Sequence, residues 1–181
     1  AGKLDIGILK AKKMINLDAE EDDAITVSCA GGSELLVKLP VEFDAYSGKT
    51  YNISFSGLKG GHSGVEIDKG RVNADILAGR FLNHMSNIAD FDIIAINGGN
   101  KGNAIPNLCR IELCVKNPDT FTKNAEMYIE ILKKEISERE NDFAPVIEMG
   151  ERAEYDVLHS DLREKLIFTL LCVPNGIVEM S

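Results

Sequence analysis

Apolar and polar positions alternate with a period of two along Leu35, Val37, Leu39, Val41 and Phe43, set against Leu36, Lys38, Pro40 and Glu42. This is the pattern of a strand whose successive side chains point to opposite faces, and Pro40 favours an edge position. Tyr46-Ser47-Gly48-Lys49 then reads as a hairpin turn. The returning strand, Thr50 to Ser56, sets Tyr51, Ile53 and Phe55 against Asn52, Ser54 and Ser56. Leu77, Phe81, Met85 and Ile88 recur at helical spacing and predict a helix from about Val72 to Ala89, with Asn73 as its N-cap. Phe91 to Asn97 reads as a buried strand, and Ile111, Leu113 and Val115 mark another that Asn117-Pro118-Asp119 stops. Phe121, Ala125, Tyr128, Leu132 and Ile136 predict a second amphipathic helix ending near Asn141, and Val146 to Met149 a further strand.

From Tyr51 to about Arg152 the expected order is therefore strand, helix, strand, strand, helix, strand. That is a ferredoxin-like split β-α-β unit of the α+β class, with two helices on one face of a four-stranded antiparallel sheet. The other face or an edge is left to meet a partner. Short strands at Lys13 to Leu17 and Ile25 to Cys29 precede this unit. A helical segment from Ser160 to Cys172 follows it, and Asn175-Gly176-Ile177-Val178 reads as the start of one more strand. Both ends look cut, so a compact domain is expected between pieces of something larger.

With 181 residues, 44% of them apolar, the chain can bury a sizeable core. A net charge of -9 and the lack of a basic stripe with interleaved aromatics argue against a general nucleic-acid binder. Acidic residues gather at Asp18 to Asp23 and along Glu126 to Asp142, the second run reading as a solvated helix face. Cys29, Cys109, Cys114 and Cys172 lack the dense spacing of a disulfide scaffold and read as buried thiols. Cys109 and Cys114, five apart in one strand, should point to opposite faces. There is no signal-like segment at Ala1 and no bilayer-length apolar run, so a reducing cytoplasm is expected and no membrane partner.

Candidate chemistry centres on Gly60-Gly61-His62-Ser63-Gly64, one imidazole set between glycines directly after a strand. Glycines there let the backbone bend sharply and let another molecule come close. A hairpin turn that merely contains histidine is the alternative. Asn103 lies in a second Gly-rich loop, Gly98-Gly99-Asn100-Lys101-Gly102-Asn103, just before Ile105-Pro106, where its amide can present both a donor and an acceptor. Two such loops at corresponding edges of one small sheet suggest a shared polar rim. Asp18, at the end of an apolar strand, is either a hard ligand for zinc or manganese or an ordinary turn residue. His84 and His159 read as an exposed helix residue and a loop residue.

Several stretches resemble the aminoacyl-histidine dipeptidases, a family of di-zinc metallopeptidases. They are Ile15-Asn16-Leu17-Asp18-Ala19-Glu20-Glu21, Thr26-Val27-Ser28-Cys29-Ala30-Gly31-Gly32, Gly57 through Ile67, Arg80-Phe81-Leu82, Gly98-Gly99 to Ile105-Pro106-Asn107, and Pro174-Asn175-Gly176. The resemblance implies a catalytic domain with two zinc ions and a smaller lid domain that also forms the dimer contact. This chain would be the lid, with residues 46–156 as lid and dimerisation domain. Residues 1–45 and 157–181 would be incomplete segments of the catalytic domain. It further implies that Asp18 ligates one zinc, that His62 stabilises the oxyanion in the facing subunit's site, and that Asn103 helps hold the dipeptide substrate. The reaction would be hydrolysis of an Xaa-His dipeptide by a zinc-bridging water deprotonated by a glutamate. The resemblance places the family's His-x-Asp motif, bridging aspartate, Glu-Glu pair and last zinc histidine before Ala1 or after Ser181. The isolated chain is therefore expected to be a non-catalytic lid and dimerisation module, the activity belonging to a full-length parent. A regulatory ferredoxin-like ligand-binding domain is a further reading.

Overall fold

A computed structural model describes residues 7, 10–13, 25 and 35–177, and contacts divide the chain into two units, Ala1–Leu35 and Leu36–Ser181. The first unit lies almost wholly outside the described residues. So do Asp18 and nearly all of the two strands expected before Leu35. In the second unit the elements run β1 (Phe43–Phe55), β2 (Gly61–His62), α1 (Ala74–Ser86), β3 (Phe91–Gly98), β4 (Ala104–Ile105), β5 (Cys109–Val115), α2 (Pro118–Ile136), β6 (Val146–Leu158) and α3 (Ser160–Cys172).

The four long strands form one antiparallel sheet in the order β3-β5-β1-β6. With α1 linking β1 to β3 and α2 linking β5 to β6, this is the expected ferredoxin-like split unit. The period-two pattern explains the burial. Tyr51, Ile53 and Phe55 of β1 and Ile111, Leu113 and Val115 of β5 turn inward to one core with Leu77, Phe81 and Met85 of α1 and Phe121, Leu132 and Ile136 of α2. Asn52 and Arg110, one step out of phase, are exposed on the opposite face. The core centres on Phe121, whose ring lies 4.7 Å from Tyr51 and 6.3 Å from both Phe81 and Phe91. Burying one such ring contributes about 1.5–3 kcal/mol, and each well-set aromatic pair about 0.5–1.5 kcal/mol more.

Helix α1 starts where the sequence indicates. The Asn73 side chain accepts from the Asp75 and Ile76 amides at 2.9 and 3.4 Å, satisfying two otherwise orphaned donors. Helix α2 begins at Pro118, whose fixed φ suits a first turn. A bidentate Arg80–Glu135 pair at 2.8 and 2.7 Å ties the two helices together at the surface. Helix α3 packs beside α1 and β3, with Ile167 in the core and Leu162, Leu166 and Leu170 against it.

The structure corrects several expectations. Residues 35–42 form no strand, and Tyr46 to Lys49 is no hairpin but the first half of a continuous β1. Its Tyr46, Ser47, Gly48 and Lys49 pair with Tyr155, Glu154, Ala153 and Arg152 of a β6 that runs to Leu158 rather than Met149. The ladder satisfies the backbone of this polar segment, and that outweighs its turn-forming residue types. Cys172 is exposed, because it closes the last turn of α3 at the surface, whereas Cys109 and Cys114 are buried. His84 is not a free surface residue. Its ring stacks on Tyr128 at 3.9 Å with 7° between planes, bridging α1 and α2. Finally, the acidic run Glu126 to Asp142 is not uniformly solvated: Glu140 is 1% exposed. After α3, residues 173–177 adopt no strand.

Candidate functional site

The two Gly-rich loops meet. His62 and Gly61 form β2, which pairs antiparallel with β4 in the register His62↔Ala104 and Gly61↔Ile105. The Ser63 amide adds a bond to the Asn103 carbonyl at 3.0 Å. This two-stranded ribbon brings the His62 and Asn103 stretches of backbone together, and both residues are exposed. The two loops expected to share a rim are therefore joined through their backbones, while Asp18 lies outside the described residues.

The second loop is anchored at its far end as well. The Pro106 carbonyl accepts from the Ala74 amide at 2.9 Å, so the first turn of α1 holds the strand that follows Asn103. Behind that turn the Asp75 carboxyl is half-buried near the Cys109 thiol; desolvation raises its pKa above the usual aspartate range. Desolvation, reinforced by Asp75, pushes the Cys109 thiol up to about 12. This pair supports the loop from beneath and carries no accessible nucleophile.

The imidazole of His62 is oriented by its own loop. Its Nδ1 accepts from the Gly64 amide at 3.0 Å and the Val65 amide at 3.2 Å. With Nδ1 an acceptor, the ring proton sits on Nε2, which is left as the donor of this exposed residue. The His62 amide donates to Glu66 Oε2 at 2.9 Å, and Glu66 Oε1 receives Lys69 Nζ at 2.7 Å. The Lys69 ammonium first, and the His62 amide second, hold the Glu66 carboxyl below its ordinary pKa. Gly61 leaves room for this closure: a Cβ there would stand 2.8 Å from Glu66 Oε2. An exposed, pre-oriented N–H donor next to an amide is equipped to bind a carbonyl or carboxylate oxygen and to strengthen that bond as negative charge develops.

Two residues that shape the loop escaped the sequence reading. Glu66 stands inside the motif around His62 but carried no assigned role. Glu140 stood within an acidic run, and the signal that marks it is its phase. It follows Leu132 and Ile136 at a spacing of four, just past the end of α2, where its amide bonds the Ile136 carbonyl and extends the phase of the buried stripe. No described group of three or more His, Cys, Asp or Glu side chains is placed to hold a metal ion. Nor is any described helix long and apolar enough to cross a membrane.

Comparison with known proteins adds three findings. Residues 53–142 match the family model described as peptidase dimerisation domain. The chain is 34% identical over 179 residues to the cytosol non-specific dipeptidase of Escherichia coli, covering 96% of this chain and 36% of that protein. The crystal structure of aminoacylhistidine dipeptidase from Vibrio alginolyticus superposes with a TM-score of 0.68 at 32% identity, over 79% of this chain and 28% of that one. The chain spans about a third of the length of these relatives.

Proposed function

Residues 53–142 belong to the peptidase dimerisation domain family, and from that premise we propose that the chain is the lid and dimerisation portion of a zinc-dependent aminoacyl-histidine dipeptidase. The lid is residues 46–156, with 1–45 and 157–181 leading to a catalytic domain. Cleavage of Xaa-His dipeptides is the activity of the whole enzyme. The lid pairs with a second copy of itself, and His62 reaches the substrate bound in the facing subunit. Names of the relatives, a cytosol non-specific dipeptidase and an aminoacylhistidine dipeptidase, support a dipeptide substrate and a cytoplasmic setting.

The observation that carries this reading is the exposed His62 ring, with Nδ1 held by two amides of its own loop and the Asn103 backbone bonded to the next residue, Ser63. In this role Nε2–H donates to the substrate carbonyl oxygen and follows it as it becomes an oxyanion. The Asn103 amide fixes the substrate through its own donor and acceptor. Zinc, two ions in the whole enzyme, would polarise the carbonyl and supply the nucleophile. Asp18 is proposed as one ligand. The described residues do not themselves form a metal site, so the lid's part of the mechanism is confined to binding and charge stabilisation.

In the whole enzyme, His62→Ala should lower turnover roughly 100-fold, the cost of removing one oxyanion donor, while bound metal measured by atomic absorption stays the same. Loss of metal would overturn the oxyanion role. The second reading, a substrate-capping and dimerisation module without catalysis, applies to the isolated chain. Zinc-dependent hydrolysis of an Xaa-His dipeptide by these 181 residues alone would overturn it.

A further inference from the structure

Glu140 is a buried acid that the reading above leaves without a purpose. Its carboxyl Oε2 accepts from the Lys59 amide at 2.8 Å, and its Oε1 accepts from the Val72 amide at 3.1 Å. Those two amides are the two stems of the loop that carries His62. Around them the turn after α2 makes further contacts with the same stems. The Ala144 amide donates to the Ser56 carbonyl at 2.9 Å, the Ser56 hydroxyl to the Ala144 carbonyl at 2.7 Å, and Lys59 Nζ to the Arg139 carbonyl. Glu140 itself is fixed by its amide on the Ile136 carbonyl at 2.9 Å.

We infer that Glu140 is a positioning residue, whose carboxyl cross-links Lys59 and Val72 and thereby sets the place and tautomer of the His62 ring. This rests on the proposed role of His62 only for its consequence in turnover. The chemistry asks for a carboxylate. Both stems offer N–H donors, so the bridge needs two acceptor oxygens and no donor. Glutamine would turn its NH2 against one of those amides, and aspartate is one methylene too short to reach both. Val72 also precedes Asn73, the N-cap of α1, and α1 in turn holds Pro106. One side chain therefore sets the spacing between the His62 loop and the start of the helix that anchors the Asn103 loop.

The test uses the 181-residue chain labelled with 15N, in three forms: unmutated, Glu140→Gln, and Ile129→Val as a control that loosens the core of α2 without touching the loop. In the unmutated chain the Lys59 and Val72 amides should exchange slowly with solvent. If they exchange as fast as the amide of exposed Asp68, the bridge does not exist and the inference fails, whether or not the variant folds. In Glu140→Gln the amides of Ser63 to Glu66 should exchange at least about tenfold faster than in the control, the signature of local opening. The 15N shifts of the His62 ring should also move from a single Nε2–H tautomer toward an average of two. Unchanged ring shifts and loop exchange in a folded Glu140→Gln chain would overturn the inference. In the whole enzyme the same variant should lower kcat at least about tenfold with KM altered much less, the effect of a misplaced group. If His62→Ala leaves turnover intact while Glu140→Gln opens the loop, the role of His62 in turnover falls and the positioning by Glu140 stands.

Discussion

Gly57 and Gly70 close the two ends of the segment that carries His62, both with φ in the left-handed region, at +75° and +59°. Replacing either by alanine brings the same backbone strain, about 1–2 kcal/mol, less about 0.4–1 kcal/mol from the restricted unfolded chain. Gly70→Ala should therefore cost about 1 kcal/mol, because a Cβ there meets nothing within 4 Å. At Gly57 the Cβ would stand 1.9 Å from the Asp142 carbonyl oxygen and 2.8 Å from its carbon. These are backbone atoms that no rotamer can move, so the turn after α2 must shift. That adds about 1–3 kcal/mol of overpacking and the loss of the Ala144–Ser56 bond, worth about 1 kcal/mol. Gly57→Ala should then cost about 3–5 kcal/mol. At a few degrees per kcal/mol for a chain of this size, the two melting temperatures fall by about 3 °C and about 12 °C. Urea titrations of both variants at equal m-values are the assay. Losses equal to within about 0.5 kcal/mol would refute the claim that the turn after α2 presses rigidly on the loop stem, since only the strain the two sites share would then remain.

Three further outcomes are expected. Tyr51→Phe removes a hydroxyl that bonds Thr122 Oγ1 at 2.8 Å and the Pro118 carbonyl at 3.2 Å while leaving the ring packing in place; urea denaturation should show a loss of about 1–2 kcal/mol. Burial raises the native pKa of Asp75, so its ionisation costs stability that is absent below the ordinary aspartate value, about 3.9, and appears as the pH rises through the native value. The stability of Asp75→Asn relative to the unmutated chain should therefore shift in the variant's favour from about pH 4 to about pH 7, followed by urea melts at each pH. Iodoacetamide at neutral pH should label exposed Cys172 and spare Cys109, whose thiol is buried and pushed up to about 12, as read by mass spectrometry of peptides; labelling of Cys109 in the folded chain would contradict its placement behind Asp75.

The long-range architecture was legible because alternate apolar positions in β1, β3 and β5 and the stripes of α1 and α2 all pointed to one buried face. Local propensity and tertiary packing agreed there. They disagreed at Tyr46 to Lys49, where Ser, Gly and Lys read as a turn. Pairing with Glu154 and its neighbours across thirteen residues of β6 holds them extended instead. Such pairing depends on a partner about a hundred positions away and leaves no trace in a local window. Residues 35–42 show the converse: they alternate, but no strand among the described residues pairs with them, and they form none.

Within the site, His62 and Asn103 stood out because glycine spacing and residue type are themselves signals of close approach. Their meeting on β2 and β4 followed from two loops ending at one side of the sheet. Glu140 was hidden by composition, since an acid among Glu126, Glu130, Glu135, Glu138 and Asp142 looks like one more solvated charge. Those five do not continue the buried stripe, which passes through Phe121, Ala125, Ile129, Leu132 and Ile136 and reaches Glu140 next. A charged side chain in the apolar phase must find partners for both oxygens or leave them unpaired at a cost of about 1–3 kcal/mol or more. The amides within reach are those of Lys59 and Val72, at the stems of the Gly-rich loop that carries His62. The phase of an acid just past a helix end, taken with a Gly-rich loop elsewhere in the chain, is thus the sequence signal that connects the core of this domain to the orientation of its histidine.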